Sequence, residues 1–394
     1  MPIQSIKIGI DLLWLRPRKV GGTEAYIRNL LSGLQSVDEE NNYYLFVAQS
    51  NEDSFDFLHS SNFHKIVCAI NNHNKALRIL YTNLFLPRML KDLHLDIVLF
   101  PTYMRPLAKL KVASLSNIHD LQYLHYPKNF SFIRRLIFNI FYPISLKKSD
   151  KVIAISNFVK QDIIQHYGDK ISDLASKLTV IYNPIVFNTF QNRESARIIL
   201  DKWGLREKEF IYTVSSMFPH KNLITLLNAF VLLKRKFNKI KLLISGIGGP
   251  SLKDLLKLIS DFRLGEDVVI TGFIPDNERD IFYANCLSFT LPSIFEGFGM
   301  PAVEAMWYGT PVVVSDIPVM REITLGKAIY VSDYFNPEAW YKALSNIILG
   351  EIKYSISESD KNLLIEKYGI KNIAKIYLDI FKRLRESHQG STWK

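Results

Sequence analysis

Phe210-Ile211-Tyr212-Thr213-Val214-Ser215 is an apolar run with no regular polar alternation, followed by the loop Ser216-Met217-Phe218-Pro219-His220-Lys221-Asn222 and a helical pattern over Leu223–Lys234. Such a run reads as a strand buried on both faces, a parallel strand covered by helices. The same unit recurs in both directions. Downstream lie Lys241–Ser245, Val268–Thr271, Ser288–Leu291 and Pro311–Val314. Upstream lie Ile6–Leu12, Tyr43–Ala48, Ile97–Phe100, Val112–Ile118, Val152–Ser156 and Leu178–Tyr182. Two such sets in succession predict an α/β protein of two doubly wound, Rossmann-like domains. The expected boundaries are 1–190 and 206–375, with 376–394 a C-terminal helix and tail that packs back on the first domain. The polar stretch Asn188–Lys208, after the Tyr182-Asn183-Pro184 turn, holds the boundary.

Composition narrows the function classes. The 394 residues are 48% hydrophobic and 22% charged, ordinary for a globular chain with two cores. Cys68 and Cys286 are far apart and lack ligand-like spacing, which argues against a disulfide framework or zinc site and fits a reducing compartment. Met1-Pro2-Ile3-Gln4-Ser5 has no basic leader region, so no secretory signal is expected. The apolar stretch Phe130–Leu146 is interrupted by Arg134, Arg135, Asn139 and Pro143 and cannot span a bilayer. A cytoplasmic protein is expected. Of the net charge of +11, most lies in residues 1–200, with 24 Lys and Arg against 16 Asp and Glu. That excess suits an anionic membrane surface or phosphorylated substrate; a merely solvated basic surface is the plain alternative. No zinc finger, RNA-binding aromatic motif or long Lys/Arg run supports nucleic acid as partner. Lys75–Leu93 and Lys128–Lys148 interleave cations with bulky apolar residues, a pattern for reversible docking at a membrane interface. The same pattern also fits core residues with solvated charges.

Doubly wound sheets bind ligands at the carboxyl ends of their strands, so the strand-to-helix junctions carry the chemistry. Gly21-Gly22-Thr23-Glu24 follows the first strand, where paired glycines permit close backbone approach and a helix N-terminus offers N–H groups. Lys221 precedes a helix for which Asn222 is the expected N-cap. A cation there opposes the helix dipole unless an anion joins it, and a bound diphosphate would resolve the conflict. Glu296-Gly297-Phe298-Gly299-Met300-Pro301 leads into a helix with Pro301 in its first turn and Gly309 at its end. Glu304 is expected in that first turn and Glu296 on the loop, two carboxylates placed for different hydroxyls of a polyol. A favourable helix-end charge alone would account for Glu304, but not for Glu296 or the glycines. His119-Asp120 follows the strand Val112–Ile118, where the histidine would face the crevice, although a lone pair of this kind is more often structural than catalytic.

The run Pro292–Ala305 resembles the glutamate-x7-glutamate signature of glycosyltransferase family 4, retaining enzymes of the two-domain GT-B fold. The resemblance extends over nearly the whole chain in order: Gly21-Gly22, His119-Asp120, Ile155-Ser156-Asn157-Phe158, Tyr182-Asn183-Pro184, Gly246 and Thr271-Gly272-Phe273. It implies two sheets facing across a cleft. It implies that Glu304 binds the nucleotide ribose, and that Glu296 with the backbone N–H groups of Phe298, Gly299 and Met300 holds the donor sugar. Lys221 would bind the diphosphate with Gly22 closing over it, His119 would contact the sugar, and Phe273 would lie beside the base. One departure stands out: His220 occupies a position where the family usually has arginine. A neutral or partly charged imidazole clamps phosphate less firmly than a guanidinium. Pro219-His220-Lys221-Asn222 is similar to bacterial polysaccharide mannosyltransferases and tilts the donor toward GDP-mannose.

No Asp-x-Asp occurs, so neither a metal ion nor any other cofactor is expected, and leaving-group charge falls to Lys221 and helix N-termini. The expected function is retaining transfer of a sugar from a nucleotide donor to a hydroxyl of a growing, lipid-linked glycan at the cytoplasmic membrane face. Two alternatives stand beside it: a sugar-nucleotide epimerase of the same fold, which needs no acceptor, and a non-catalytic sugar-nucleotide-binding protein.

Overall fold

A computed structural model describes residues 5–19, 21–189 and 193–391. Met1–Gln4, on which the reading of the N-terminus rests, and part of the polar boundary stretch lie outside the described residues. By contacts the chain divides into two units, Met1–Val186 with Lys367–Lys394, and Phe187–Glu366. The return to the first unit therefore begins at Lys367 rather than at 376.

The first unit holds strands β1 (Lys7–Asp11), β2 (Asn42–Ala48), β3 (Phe63–Cys68), β4 (Ile97–Phe100), β5 (Ala113–Ile118), β6 (Lys151–Ala154) and β7 (Leu178–Val180). They form one parallel sheet in the order β3-β2-β1-β4-β5-β6-β7, with Ile10 in register with Leu45 and Leu99. The second unit holds β8 (Phe210–Val214), β9 (Lys241–Ser245), β10 (Val268–Gly272), β11 (Ser288–Leu291), β12 (Val312–Ser315) and β13 (Ile329–Val331). Their order is β10-β9-β8-β11-β12-β13, again parallel, with Tyr212 opposite Leu243 and Phe289. The apolar runs place the central strands to within two residues. β3 and β13 escape them: β3 alternates exposed and covered residues around Lys65, and β13 is a short, partly covered stretch of three residues.

The C-terminal helix Ile370–Ser391 packs along the Gly22–Val37 helix. Gly33 sets their separation, since a Cβ there would lie 2.5 Å from the Ile370 carbonyl oxygen. A buried polar knot joins the helices to β5: Tyr26 and Tyr377 hydroxyls are 2.7 Å apart, and Asn117 Nδ2 donates to both at 2.6 Å. The last helix thus supports the strand that delivers His119. Gly33→Ala should cost about 1–3 kcal/mol, the usual toll of overpacking a tight contact. Urea unfolding measures it, and an unchanged midpoint would show that the helices part freely.

Candidate active site

In the second unit the strand order reverses between β8 and β11. Crossovers that leave on opposite sides open a gap at the carboxyl ends of such a pair, where α/β sheets bind ligands. The loops leaving these two strands carry Lys221 and Glu296. A 3-10 turn, Pro219–Lys221, leads into the helix Leu223–Lys234, and Lys221 Nζ meets Glu296 Oε1 at 2.6 Å. The Ile294 N–H donates to the His220 carbonyl at 2.9 Å, so backbone ties the loops as well. Burial pushes the Glu296 carboxyl up, but the Lys221 ammonium outweighs it and leaves the carboxyl below its usual range. The cation at a helix N-terminus is thus balanced within the protein by a carboxylate.

Two details differ from the sequence reading. Asn222 stands at the N-cap position, but in left-handed conformation (φ 54°) and without a capping side-chain bond. Its Nδ2 donates to the Tyr334 carbonyl at 2.8 Å and its Oδ1 accepts from Thr225, so it shapes the turn instead. Glu304 is not in the first turn of its helix, which starts at Met300 and runs to Trp307. Helix-end charge therefore does not explain it. Tyr283 donates to Glu304 Oε2 at 2.8 Å, and Arg279 Nε lies 3.5 Å from the same oxygen. Burial raises the Glu304 carboxyl, with Arg279 and Tyr283 opposing, and the net shift is upward. The two glutamates are pushed in opposite directions, as in sites where two carboxylates serve different roles. Arg279 and Tyr283 were not singled out from the sequence; their i,i+4 spacing on the helix Asp276–Asn285 was the available signal.

The surrounding loops fit tightly. A Cβ on Gly246 would lie 2.0 Å from the Ser215 carbonyl oxygen, and one on Gly249 2.4 Å from that of Met217. Across the same seam the Met217 N–H donates to the Ile247 carbonyl at 3.0 Å, and the Met217 carbonyl accepts from the Ser251 N–H at 3.0 Å. Gly299 adopts φ 100° immediately before Met300, a turn that brings the first N–H groups of the helix to the loop's end. Phe298 and Met300 are buried, whereas Phe273, just beyond β10, is 55% exposed.

Gly22 and His119 lie in the first unit. Gly22 is the first residue of its helix, after Gly21 at φ 58°. Glu24 holds this loop by accepting from the Arg18 N–H at 2.8 Å and from Arg28 Nε at 3.0 Å. His119 Nε2 donates to the Pro101 carbonyl at 2.8 Å, which fixes the tautomer. Burial lowers His119 to about 4 against that hydrogen bond. Burial, then Lys221, lowers His220 to about 4 also, so position 220 supplies no positive charge near neutral pH. Its Nδ1 is buried without a hydrogen-bond partner.

Both histidines bind protons more readily unfolded than folded. Their neutral forms therefore support the fold fully above the ordinary histidine pKa of about 6.5, and that support is lost as pH falls through 4. Stability should drop by a few kcal/mol between pH 7 and 4.5 from this source, less in His119→Asn and His220→Asn. Urea titrations across that range with equal slopes for wild type and variants would remove both groups from the effect.

Among the described residues, one group has metal-compatible spacing: His125, Asp162 and His166, in the first unit, whose donor atoms lie within 4.8 Å of one another. Asp162 is already shared there by both imidazoles, at 2.9 and 3.1 Å.

Residues 20–188 match the family model described as Glycosyltransferase Family 4, and residues 196–363 match Glycosyl transferases group 1. The O-antigen chain mannosyltransferase RfbU of Salmonella typhimurium is 31% identical over 58% of this chain and 59% of its own length. The serotype-specific mannosyltransferase WbdA of Escherichia coli is 26% identical over 62% of this chain and 30% of its own length. The chain therefore spans less than two thirds of either relative. Sucrose-phosphate synthase from Thermosynechococcus elongatus superposes with TM-score 0.77 at 16% identity, covering 97% of this chain and 100% of that one. A glycosyltransferase from Rickettsia africae superposes with TM-score 0.72 at 18% identity, covering 96% and 98%. With two consecutive family matches over most of its length and a GT-B α/β fold, the chain belongs to the family-4 glycosyltransferases.

Proposed function

We propose that this chain transfers a sugar from a nucleotide donor to a hydroxyl of a growing, lipid-linked cell-surface polysaccharide, retaining the donor's anomeric configuration. The observation that carries this is the largely buried Lys221–Glu296 pair at the β8/β11 reversal, with Glu304 held by Tyr283 and Arg279. Lys221 would meet the diphosphate and stabilise the leaving phosphate, worth most in a site that excludes water. Glu304 would take the ribose, Phe273 would lie beside the base, and Glu296 with the N–H groups of Phe298, Gly299 and Met300 would hold the sugar. Gly22 would serve the diphosphate and His119 the sugar from the first unit. Mannose from GDP-mannose is the favoured donor, because the relatives quoted above are named mannosyltransferases.

The placement of the carboxylates supports retention. Direct displacement needs a base on the acceptor's side, within hydrogen-bond reach of its hydroxyl. Glu296 is ionised but committed to Lys221, and His119, although its Nδ1 keeps a lone pair, is a weak base because burial lowers it to about 4. The leaving phosphate is then the natural acceptor of the hydroxyl proton, on the face it departs from. Lys221 is the cation this reading assigns to the leaving phosphate, which supports a reaction without a metal ion.

No helix among the described residues is long and apolar enough to cross a membrane. Leu77, Leu80, Leu84, Phe85, Phe132 and Ile133 are each at least half exposed, which suits peripheral docking on the inner face of the plasma membrane. Proton NMR of the product formed in EDTA tests the reading. An α-linked donor should give an α-linked product; a β-linkage, or activity that returns only with Mg²⁺ or Mn²⁺, would contradict it.

A further inference from the structure

The first unit has its own reversal of strand order, between β1 and β4. By the rule applied to the second unit, the gap beyond these two strands is a ligand position. Arg16 follows β1 and Tyr103 follows β4; the Lys75–Leu84 helix brings Lys75 and Arg78, and the Phe132–Lys148 helix brings Arg134. These groups converge. Arg78 donates to the Trp14 carbonyl at 3.2 Å and reaches Met104 Sδ at 3.8 Å, spanning the loops after β1 and β4. Burial lowers the Lys75 ammonium first, and Arg134, Arg78 and Arg16 lower it further, so four cations share one neighbourhood. Arg134 is braced over Phe130 and Phe138 at 5.0 and 5.4 Å, and Tyr103 stacks on Tyr142 at 4.3 Å. Arg16 Nε is buried without a hydrogen-bond partner. The carboxyls facing the group are Asp11, beside Arg78, and Asp120, beside Tyr103. Asp11 is buried and spends one oxygen on the Leu13 N–H at 3.1 Å.

Like charges held together in a partly desolvated place are stabilised by a multivalent anion. The two helices that supply Lys75, Arg78 and Arg134 also carry exposed apolar side chains, Leu77, Leu80 and Leu84 on the first and Phe132, Ile133 and Leu136 on the second. Asn83 and Lys148 both hydrogen bond to Leu107 backbone, so the helices flank one loop. Beside the second helix lies a mainly apolar groove lined by Tyr123, Leu124, Pro127, Phe132 and Leu136, with Arg135 and Asn139 also in its wall. Cations next to an apolar face match a molecule with a phosphate head and a hydrocarbon tail.

We propose that Arg16, Lys75, Arg78 and Arg134 bind the diphosphate of a lipid diphosphate-linked acceptor, with its hydrocarbon chain lying along the apolar faces of the two helices. This rests on the reading that the acceptor is a lipid-linked glycan. Lys75 and Arg134 are exposed, so their replacement spares the fold.

The test uses the full chain and two measurements. First, flotation with neutral phosphatidylcholine vesicles, plain, with a few per cent undecaprenyl diphosphate, or with phosphatidylglycerol at equal charge. Wild type should float with the diphosphate lipid well above the phosphatidylglycerol level. The Lys75→Ala/Arg134→Ala variant should bind it on the order of 25-fold more weakly, at about fivefold per cation. Equal flotation with both anionic lipids, or an unchanged variant, would overturn the proposal in favour of general surface attraction or none. Second, sugar-nucleotide affinity of the same proteins, measured without acceptor, reports on the donor site. Failure of wild type to bind any sugar nucleotide would sink the donor reading while leaving the flotation result to decide this one.

Discussion

Lys221→Ala should lower the transfer rate about 10²–10³-fold, the range for removing one preorganised stabiliser of developing charge. The diphosphate would lose its main cation, and neutral His220 cannot replace it. The substitution also leaves Glu296 largely buried and unpaired, so its carboxyl pKa should rise and stability should fall by up to about 3–5 kcal/mol, the cost of removing one partner of a fully buried pair. The two effects separate cleanly. Lys221→Ala/Glu296→Gln removes the stranded charge and should recover much of the stability without recovering turnover. Lys221→Arg keeps the charge in a different shape and should retain more activity than alanine. A folded Lys221→Ala protein with near wild-type turnover would take Lys221 out of the mechanism.

Glu304→Ala and Glu296→Ala should fail in different ways. A ribose contact is the same before and during reaction, so losing Glu304 should weaken donor binding about 10–100-fold, the worth of a hydrogen bond to a charged group, and leave kcat less affected. Contacts to the reacting sugar strengthen as charge develops, so losing Glu296 should cut kcat about 10²-fold with a smaller change in KM. The opposed carboxyl shifts agree with this division: Glu296 is held ionised by Lys221, and Glu304 is raised by burial against Arg279 and Tyr283. Tyr283→Phe gives a milder version of the Glu304 defect, because it frees Oε2 without removing the carboxylate. Initial rates over a range of donor concentrations measure both; the reverse pattern would exchange the two roles.

The sequence made the parallel strands legible because strands buried on both faces must be apolar throughout, as in Phe210–Val214 and Ile97–Phe100. It could not show β3, whose exposed face carries Lys65, or β13, which is three residues long. The loop residues Lys221, Glu296 and Glu304 stood out by their place after strands, but their partners did not. Lys221 and Glu296 are 75 residues apart, and no local rule pairs them. Arg279 and Tyr283 sit on a helix whose spacing looks like any solvated face until Glu304 is seen against it. Asn222 has the chemistry of a capping residue, yet left-handed backbone and the Tyr334 carbonyl claim its side chain. The neutrality of His220 is a matter of burial, which residue identity does not reveal.

Calorimetric titration with a panel of sugar nucleotides, in EDTA, addresses the donor site most directly. GDP-mannose, UDP-glucose, ADP-glucose and UDP-N-acetylgalactosamine would each be titrated into wild type, Lys221→Ala and Glu304→Ala. At least one, GDP-mannose first, should bind wild type and bind each variant at least tenfold more weakly. Absence of binding by every sugar nucleotide, or equal affinity in all three proteins, would contradict a donor site built on Lys221, Glu296 and Glu304.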